Sequence, residues 1–599
     1  MTEALPPTLT EILAGIDGKP AAYLAAARRL ASYAGDGLTP ERIFVLASFT
    51  FDLVTPYLVV ESARRGIAAE VATGPFGQLE QQVLDPESLL HRFAPSVIVI
   101  AARIEDLAPE LADGFLAAPP TATDAYVERI AQLCARVRER TAARIVVWNQ
   151  APLRRLVAGL ADPALGPGQS FALAELDRRL AEACAAVSGV VMFDVARLAT
   201  EVGTRQWYDA KLQALARTPL SGAAQLAVGK QLARVIRALT RTPCKCLVLD
   251  LDNTLWGGVL GEDGLAGIAL GEDHPGSAYK AFQRVVRGYR DRGVLLAIAS
   301  KNNLADVDEL FASHRDMVLA RDQFAALQVH WNDKASSLRA IAADLNIGVD
   351  SLAFFDDNPV ERDWVRAQLP EVTVIDVPAD PLRYSDALDD SGAFDHLVIT
   401  AEDRQRAGQY QSEVARRDLE QSATSVDEFL RALQMKAVIG KIDAATLPRV
   451  VQLLGKTNQF NVTTRRYSEP ELARLLASEG AIGLWMRVSD RYGDNGLVAL
   501  ALAVREEPSR YRLDSFLMSC RILGRQAEHA LLRSVARRAR EQGASVLLGE
   551  FIPSKKNAPA APFFQDAGFS PLGARPHWWW LELGTAPAAT PLFEVVEES

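Results

Sequence analysis

Short apolar runs alternate with segments of helical spacing along most of the 599 residues. In the first part the runs Ile43–Ala47, Val97–Ala101, Ile145–Trp148 and Val190–Val195 stand between amphipathic stretches, the first of them covering Leu53–Arg65. That alternation predicts parallel strands joined by right-handed helical crossovers. Further on, Cys246–Leu249, Val294–Ala299 and Leu352–Phe355 each stop abruptly at a polar turn, as buried strands of a parallel sheet do. Towards the end, a charged helical stretch at Ala401–Leu419 precedes candidate strands at Lys436–Lys441, Leu484–Val488, Leu497–Val504, Tyr511–Met518 and Val546–Phe551. A helix over Asp443–Lys456 and a long one reaching about Arg540 interrupt them. The chain is too long for one core. It divides on this pattern at 1–240, 241–385 and 386–599: a doubly wound sheet, a Rossmann-like sheet and an α+β domain, in an α/β chain.

Ligands of open α/β sheets bind just past the carboxyl ends of the strands, and chemistry-bearing residues gather there in the central domain. Cys246–Leu249 runs into Asp250-Leu-Asp252-Asn253-Thr254. Aspartates one residue apart on extended chain point to opposite faces, so both converge only if the backbone bends. One carboxylate then suits a nucleophile and metal ligand, the other a general acid/base. The next run ends in Ser300-Lys301-Asn302, where a hydroxyl and an amide could bind a phosphoryl oxygen. Lys334 offers a point charge for phosphate, and Leu352–Phe355 ends in Asp356-Asp357, oxygen donors of the kind magnesium takes, with Glu361 close behind. Lys301 and Asn302 read equally as substrate-facing or as capping a helix start. The glycine-punctuated Trp256–Gly264 predicts a hairpin flap with Trp256 packed beneath it.

The ordered set DLDNT, strand-terminal Ser300, Lys334 and FFDDN resembles the motifs of the haloacid dehalogenase (HAD) phosphatases. The resemblance implies Asp250 as nucleophile forming an aspartyl-phosphate and Asp252 as acid/base. It implies Ser300 as a phosphoryl-oxygen ligand and Lys334 as charge stabiliser; Asn253, Thr254, Lys301 and Asn302 are further candidate substrate contacts. A magnesium ion would be held by Asp250, the Asp252 backbone carbonyl, Asp356 and Asp357. The intervals between motifs leave no room for a folded cap domain, so the site is expected to be open.

In the first domain, Ser48 follows a strand, which resembles the nucleophile position of SGNH hydrolases. No histidine lies between His91 and His274, so the base such an enzyme needs is missing. Ser48 therefore reads as a helix N-cap, and the domain as a hydrolase fold turned to binding or support. In the third domain, Cys520-Arg521-Ile522-Leu523-Gly524-Arg525-Gln526 resembles the pyrophosphate-binding loop of GNAT acyltransferases, with Gln526 where glycine or alanine is usual. Arg521, Gly524 and Arg525 are the expected anion contacts at a helix N-terminus. Cys520 reads as an acyl-accepting thiol or as a small buried apolar residue.

A net charge of −10 argues against nucleic acid and anionic membranes as partners. Five cysteines (Cys134, Cys184, Cys244, Cys246, Cys520) indicate a reducing compartment. The first residues carry no signal-peptide pattern and no apolar stretch is long enough to span a bilayer, so a cytoplasmic protein is expected. Taken in order, SFTFDLVTPYL, CLVLDLDNTLWGGVLGEDG, ASKNN, FFDDNPVER, KTNQFNVTTRRY, SCRILGR and GEFIPSKKN resemble the FkbH-like proteins of polyketide assembly lines. That resemblance implies transfer of a phosphoglyceryl group from 1,3-bisphosphoglycerate, removal of its phosphate, and loading of glyceryl onto the phosphopantetheine of an acyl carrier protein. Arg521, Arg525, Arg533, Arg537 and Arg538 could form a docking face for that acidic carrier, or a solvated helix surface. The alternatives are a plain phosphatase of small phosphate esters and a non-catalytic carrier-binding scaffold.

Overall fold

The computed structural model describes residues 7–16, 18–33, 37–399, 425–457, 459–519, 522–554, 557–573, 575–585 and 593–598. The expected helical stretch Ala401–Leu419 lies outside them, as do Cys520 and Arg521. The chain forms two compact units, Thr2–Arg241 and Thr242–Ser599.

The first unit holds a five-stranded parallel sheet of order β2-β1-β3-β4-β5, built from β1 (Thr39–Ala47), β2 (Ile67–Thr73), β3 (Val97–Ala101), β4 (Arg144–Trp148) and β5 (Val190–Phe193). Its central β3 is buried throughout because both faces carry helices. The strand β2 escaped the sequence reading: it is an edge strand whose IAAEVAT is mostly half-buried, so it shows neither a solid apolar run nor strict alternation. The chain leaves the last strand earlier than expected because Asp194 caps the helix Val195–Val202, accepting from Arg197 N at 3.1 Å. Ser48 is not a helix cap. The next helix starts only at Thr55, and the buried Ser48 hydroxyl donates to Asp106 Oδ2 at 2.7 Å and accepts from Arg103 N at 3.1 Å.

The second unit opens with another five-stranded parallel sheet, order β10-β9-β6-β7-β8. Its strands are β6 (Cys246–Leu249), β7 (Leu295–Ser300), β8 (Phe324–Val329), β9 (Leu352–Phe355) and β10 (Thr373–Val374). Every residue of β6 is buried, and β9 and β7 flank it in parallel register. The three motif-bearing strands are therefore immediate neighbours, with their carboxyl ends side by side. The expected flap is not a hairpin. Trp256 is fully buried, Gly257 exchanges backbone hydrogen bonds with Ala269, and Leu260–Gly267 is helical with a kink at Gly264. Two carboxylates start that helix, Asp252 accepting from Leu260 N at 3.1 Å and Asp263 from Val259 N at 2.7 Å.

The remainder is an α+β arrangement on a mixed sheet, order β17-β18-β16-β15-β14-β13-β11-β19. It comprises β11 (Lys436–Lys441), β12 (Phe460–Asn461), β13 (Ile482–Asp490), β14 (Gly493–Glu507), β15 (Arg510–Met518), β16 (Val546–Glu550), β17 (Ser570–Pro571), β18 (Trp578–Glu582) and β19 (Glu594–Glu597). The helix Ala527–Glu541 packs its apolar face on this sheet. Parallel β15 and β16 pair only over Arg510–Leu513 and Val546–Gly549. Beyond that the chain's own segment lies between them: β12 pairs with β15, Val462 N donates to Phe516 O at 3.1 Å, and Ile552 N to Val462 O at 2.8 Å. Among the described residues no helix is long and apolar enough to cross a membrane.

Candidate active site

The site begins where β6 ends. Asp250 N still donates to Phe355 O of β9 at 3.1 Å, so its side chain leaves the sheet beside those of Asp356 and Asp357. Carboxylate oxygens from Asp250, Asp356 and Asp357 all lie within 4.8 Å of one another. Lys334, at the start of the helix Lys334–Asp344 and 3% exposed, faces this cluster. Its Nζ is 2.6 Å from Asp250 Oδ1, 3.0 Å from Asp356 Oδ2 and 2.7 Å from Ala299 O. Burial alone would lower its pKa, but the Asp250 and Asp356 charges outweigh burial and raise it, so the ammonium persists.

One cation against three carboxylates leaves the cluster short of positive charge. Burial and the Asp250 charge push Asp356 up to about 7, partly offset by Lys334. The same two causes push Asp357 up to about 6, partly offset by its hydrogen bond with Thr254. Asp356 Oδ2 is wholly buried, with Lys334 Nζ at 3.0 Å as its partner. Hard oxygen donors converging in this way fit a divalent cation of the magnesium type.

Asp252 faces elsewhere. Asn253 takes a left-handed backbone at φ 52°, turning the chain straight after it. The Asp252 carboxylate accepts from Trp256 Nε1 at 2.9 Å, Leu260 N at 3.1 Å and Asn302 Nδ2 at 2.9 Å. It is therefore positioned by three donors, and its side chain does not join the carboxylate cluster. Asn302 Nδ2 also donates to Ser300 Oγ at 3.2 Å, which ties the end of β7 to Asp252. Buried Ser300 and Asn302 thus stand with Asp250 and Asp252 at the ends of neighbouring strands, with Lys334 beside them at a helix start.

Other expected substrate contacts are engaged with the protein. Thr254 is fully buried; its hydroxyl lies 3.3 Å from both Asp357 Oδ1 and Asp357 N, behind the cluster rather than before it. Asn253 Oδ1 accepts from Gly258 N at 2.9 Å. Lys301 Nζ is 2.5 Å from Glu361, which gives that glutamate a partner other than a metal. Two supporting residues escaped the sequence reading. Arg362 Nη1 donates to the Asp356 and Asp357 carbonyls at 2.7 Å each, and Tyr384 Oη to Asn253 O at 3.0 Å. Arg362 lies inside FFDDNPVER, but contacts to backbone carbonyls leave no residue-type signal.

In the third domain the expected anion grip is not formed by the described residues. Gly524 has φ 77° and Gln526 begins the helix Ala527–Glu541 in a left-handed conformation. Arg525 is 5% exposed and points inward, with Nη1 3.5 Å from Asp490. Of the proposed docking arginines, Arg537 and Arg538 both pair with Glu597 on β19, Arg538 at 3.7 Å. The buried charge cluster here centres instead on Asp514, which accepts from Tyr467 at 2.6 Å and pairs with Arg465 and Arg512 at 3.1 and 3.0 Å. Cys520 and Arg521 lie outside the described residues.

Residues 42–237 match the family model "FkbH, N-terminal domain". Among solved structures, the N-terminal part of the protein BF1531 from Bacteroides fragilis, containing a phosphatase domain complexed with Mg, is similar at 27% identity and a TM-score of 0.55. That match covers 62% of this chain and 98% of that one. The ribosomal-protein-S18-alanine N-acetyltransferase of Escherichia coli is matched over 26% of this chain and 98% of its own, at 15% identity and a TM-score of 0.19. A GNAT-family acetyltransferase from Staphylococcus aureus is matched over 24% and 99%, at 13% identity and a TM-score of 0.20. No curated protein matches significantly.

Proposed function

We propose that this chain, an FkbH-like protein with a HAD-type phosphatase centre, removes the phosphate from a phosphoglyceryl group and passes the glyceryl to an acyl carrier protein. The observation that carries this reading is the cluster of Asp250, Asp356 and Asp357 closed from one side by buried Lys334. The phosphatase domain of BF1531 is complexed with Mg, and the donor set here suits the same ion. Asp250, Asp356 and Asp357, with the Asp252 backbone carbonyl, would hold it. Once bound, magnesium would neutralise the converging carboxylates and the phosphoryl oxygens.

The chain's own groups then divide the work. In the first step a thiol, Cys520 in our reading, attacks the acyl phosphate of 1,3-bisphosphoglycerate, forming a thioester and releasing phosphate. Asp250 attacks the phosphorus of the remaining phosphate ester in line, forming an aspartyl-phosphate as the ester P–O bond breaks and the glyceryl alkoxide leaves. Asp252, oriented by Trp256 and Asn302, gives a proton to the leaving alkoxide. Lys334 and the Ser300 hydroxyl balance charge on the equatorial oxygens. Water deprotonated by Asp252 hydrolyses the aspartyl-phosphate. The pantetheine thiol of the carrier finally takes glyceryl by thioester exchange.

The test is to incubate the protein with 1,3-bisphosphoglycerate, magnesium and a phosphopantetheinylated carrier, and to weigh both proteins intact. Glyceryl on the carrier is expected. A carrier that stays unmodified while phosphate is released supports the second reading, a phosphatase of small esters. The inward Arg525 and the pairing of Arg537 and Arg538 with Glu597 favour that second reading.

A further inference from the structure

The GNAT resemblance of the third domain implies coenzyme A, a ligand with two handles: an anionic pyrophosphate and an extended arm that carries amides. The anion suits a helix N-terminus. The arm suits a gap between parted strands, where it can add as a strand through unpaired backbone groups. The fold supplies both places. The helix Ala527–Glu541 follows β15, and parallel β15 and β16 part beyond Leu513 and Gly549. Neither place is open to the ligand.

The chain itself fills the gap. Val462 N donates to Phe516 O of β15 at 3.1 Å, and Ile552 N, just past β16, donates to Val462 O at 2.8 Å, so one residue bridges both edges. Thr463 Oγ1 and Arg465 Nη1 donate to Asp514 O at 2.9 and 2.8 Å. Asn557 locks the arrangement. Its Nδ2 donates to Asn461 O and Ile552 O at 2.9 Å each, and its Oδ1 accepts from Ser554 N at 2.7 Å. These are the backbone groups that an incoming amide chain would need. The filling segment is no surface flap: Asn461 and Val462 are wholly buried, Asn557 is 1% exposed, and the Phe460 ring lies 5.5 Å from that of Phe563 in the domain core. Lifting it out would leave Phe516 O and Ile552 N without these partners and open the core.

The helix N-terminus is no better suited. Its first turn carries Glu528, whose carboxylate takes a hydrogen bond from its own backbone N–H, and Asp566 adds a second negative charge nearby. His529 Nε2 lies 3.9 Å from Glu528, and Arg525 turns inward to Asp490. A carboxylate already placed at the positive end of the helix dipole disfavours a further anion there. We infer that residues 460–463 permanently take the place of a coenzyme arm, so that the third domain holds neither coenzyme A nor free pantetheine between β15 and β16. The inference does not rest on the proposed function but constrains it: a carrier's pantetheine thiol has to reach the acyl group outside this gap.

Hydrogen exchange of the full chain, read by peptide mass spectrometry, tests this on the wild-type protein. Peptides covering 460–463 and Ile552 should be among the slowest of the third domain, and equally slow with and without an excess of coenzyme A or pantetheine. Isothermal titration should show no saturable binding of either compound. Asn557→Ala, which frees Asn461 O and Ile552 O, should speed exchange over 460–463 about tenfold or more, while phosphate release, assigned to residues 250–384, stays unchanged. Saturable binding that leaves exchange over 460–463 unaltered would put the ligand outside the gap, as inferred. Binding that alters exchange there, exchange over 460–463 as fast as in an exposed loop, or an unaltered rate in Asn557→Ala would each overturn the inference.

Discussion

Lys334 shows how much rests on one buried side chain. It meets Asp250 and Asp356 where both are shielded from water, and removing it leaves two carboxylates without a counter-charge. Lys334→Met should destabilise the metal-free protein by about 3–5 kcal/mol in urea unfolding and abolish turnover, because breaking a buried pair strands its partner. Acid behaviour follows from the same cluster. Asp356 and Asp357 hold their protons up to about 7 and about 6, and Asp177 in the first unit, raised chiefly by burial, up to about 7. These three carboxyls therefore bind more protons in the folded than in the unfolded chain between about 4 and about 7, so their contribution to the stability of the metal-free protein falls as pH rises through that window. Melting measured against pH with chelator present should show that decline. Asp177→Asn should flatten part of it, and magnesium should raise the melting temperature more at pH 8 than at pH 5. Asp250, Ser300 and Asp356-Asp357 were readable because each follows an apolar run, and strand ends converge; Lys334 was readable only from its place in the order of the motifs. Arg362 and Tyr384 were not, since their partners are backbone carbonyls brought close only by the fold.

Among the elements, the turn from Asp252 to the helix Leu260–Gly267 sets the site's geometry. The glycines of Trp256–Gly264 suggested a hairpin, yet two carboxylates capping free backbone N–H groups start a helix instead. Such side-chain-to-backbone bonds compete with strand pairing and have no periodicity to betray them. Trp256→Phe keeps the packing but deletes the donor to Asp252. It should lower kcat for phosphate release about tenfold or more, with KM little changed, as expected for a group oriented for proton transfer. The strands β8 and β18 were missed for reasons like those for β2: FAALQV carries a glutamine, and WWWLE is largely half-exposed. Near the C-terminus, β19 is held partly by Glu597 on Arg537 and Arg538. Glu597→Gln should speed hydrogen exchange across 594–597 while costing the whole protein only about 0–1 kcal/mol, because the pairs lie at the surface, partly exposed and screened.

At the scale of the whole molecule, the alternation of apolar runs and helices was enough to foresee two parallel sheets and a later α+β domain. What sequence could not show is that the third sheet's parted strands, β15 and β16, already hold segment 460–462 between them. That register depends on residues 54 to 90 positions apart in the chain. Every polar contact described at the phosphatase site comes from residues 250–384, inside the unit Thr242–Ser599. Phosphate release is therefore the property to follow. Wild-type protein given 3-phosphoglycerate should release phosphate only with magnesium, Asp250→Asn should lose at least about a thousandfold of that rate, and peptide mass spectrometry after acid quench should find the phosphoryl group on Asp250. Magnesium-independent release, or an undiminished rate in Asp250→Asn, would contradict the account.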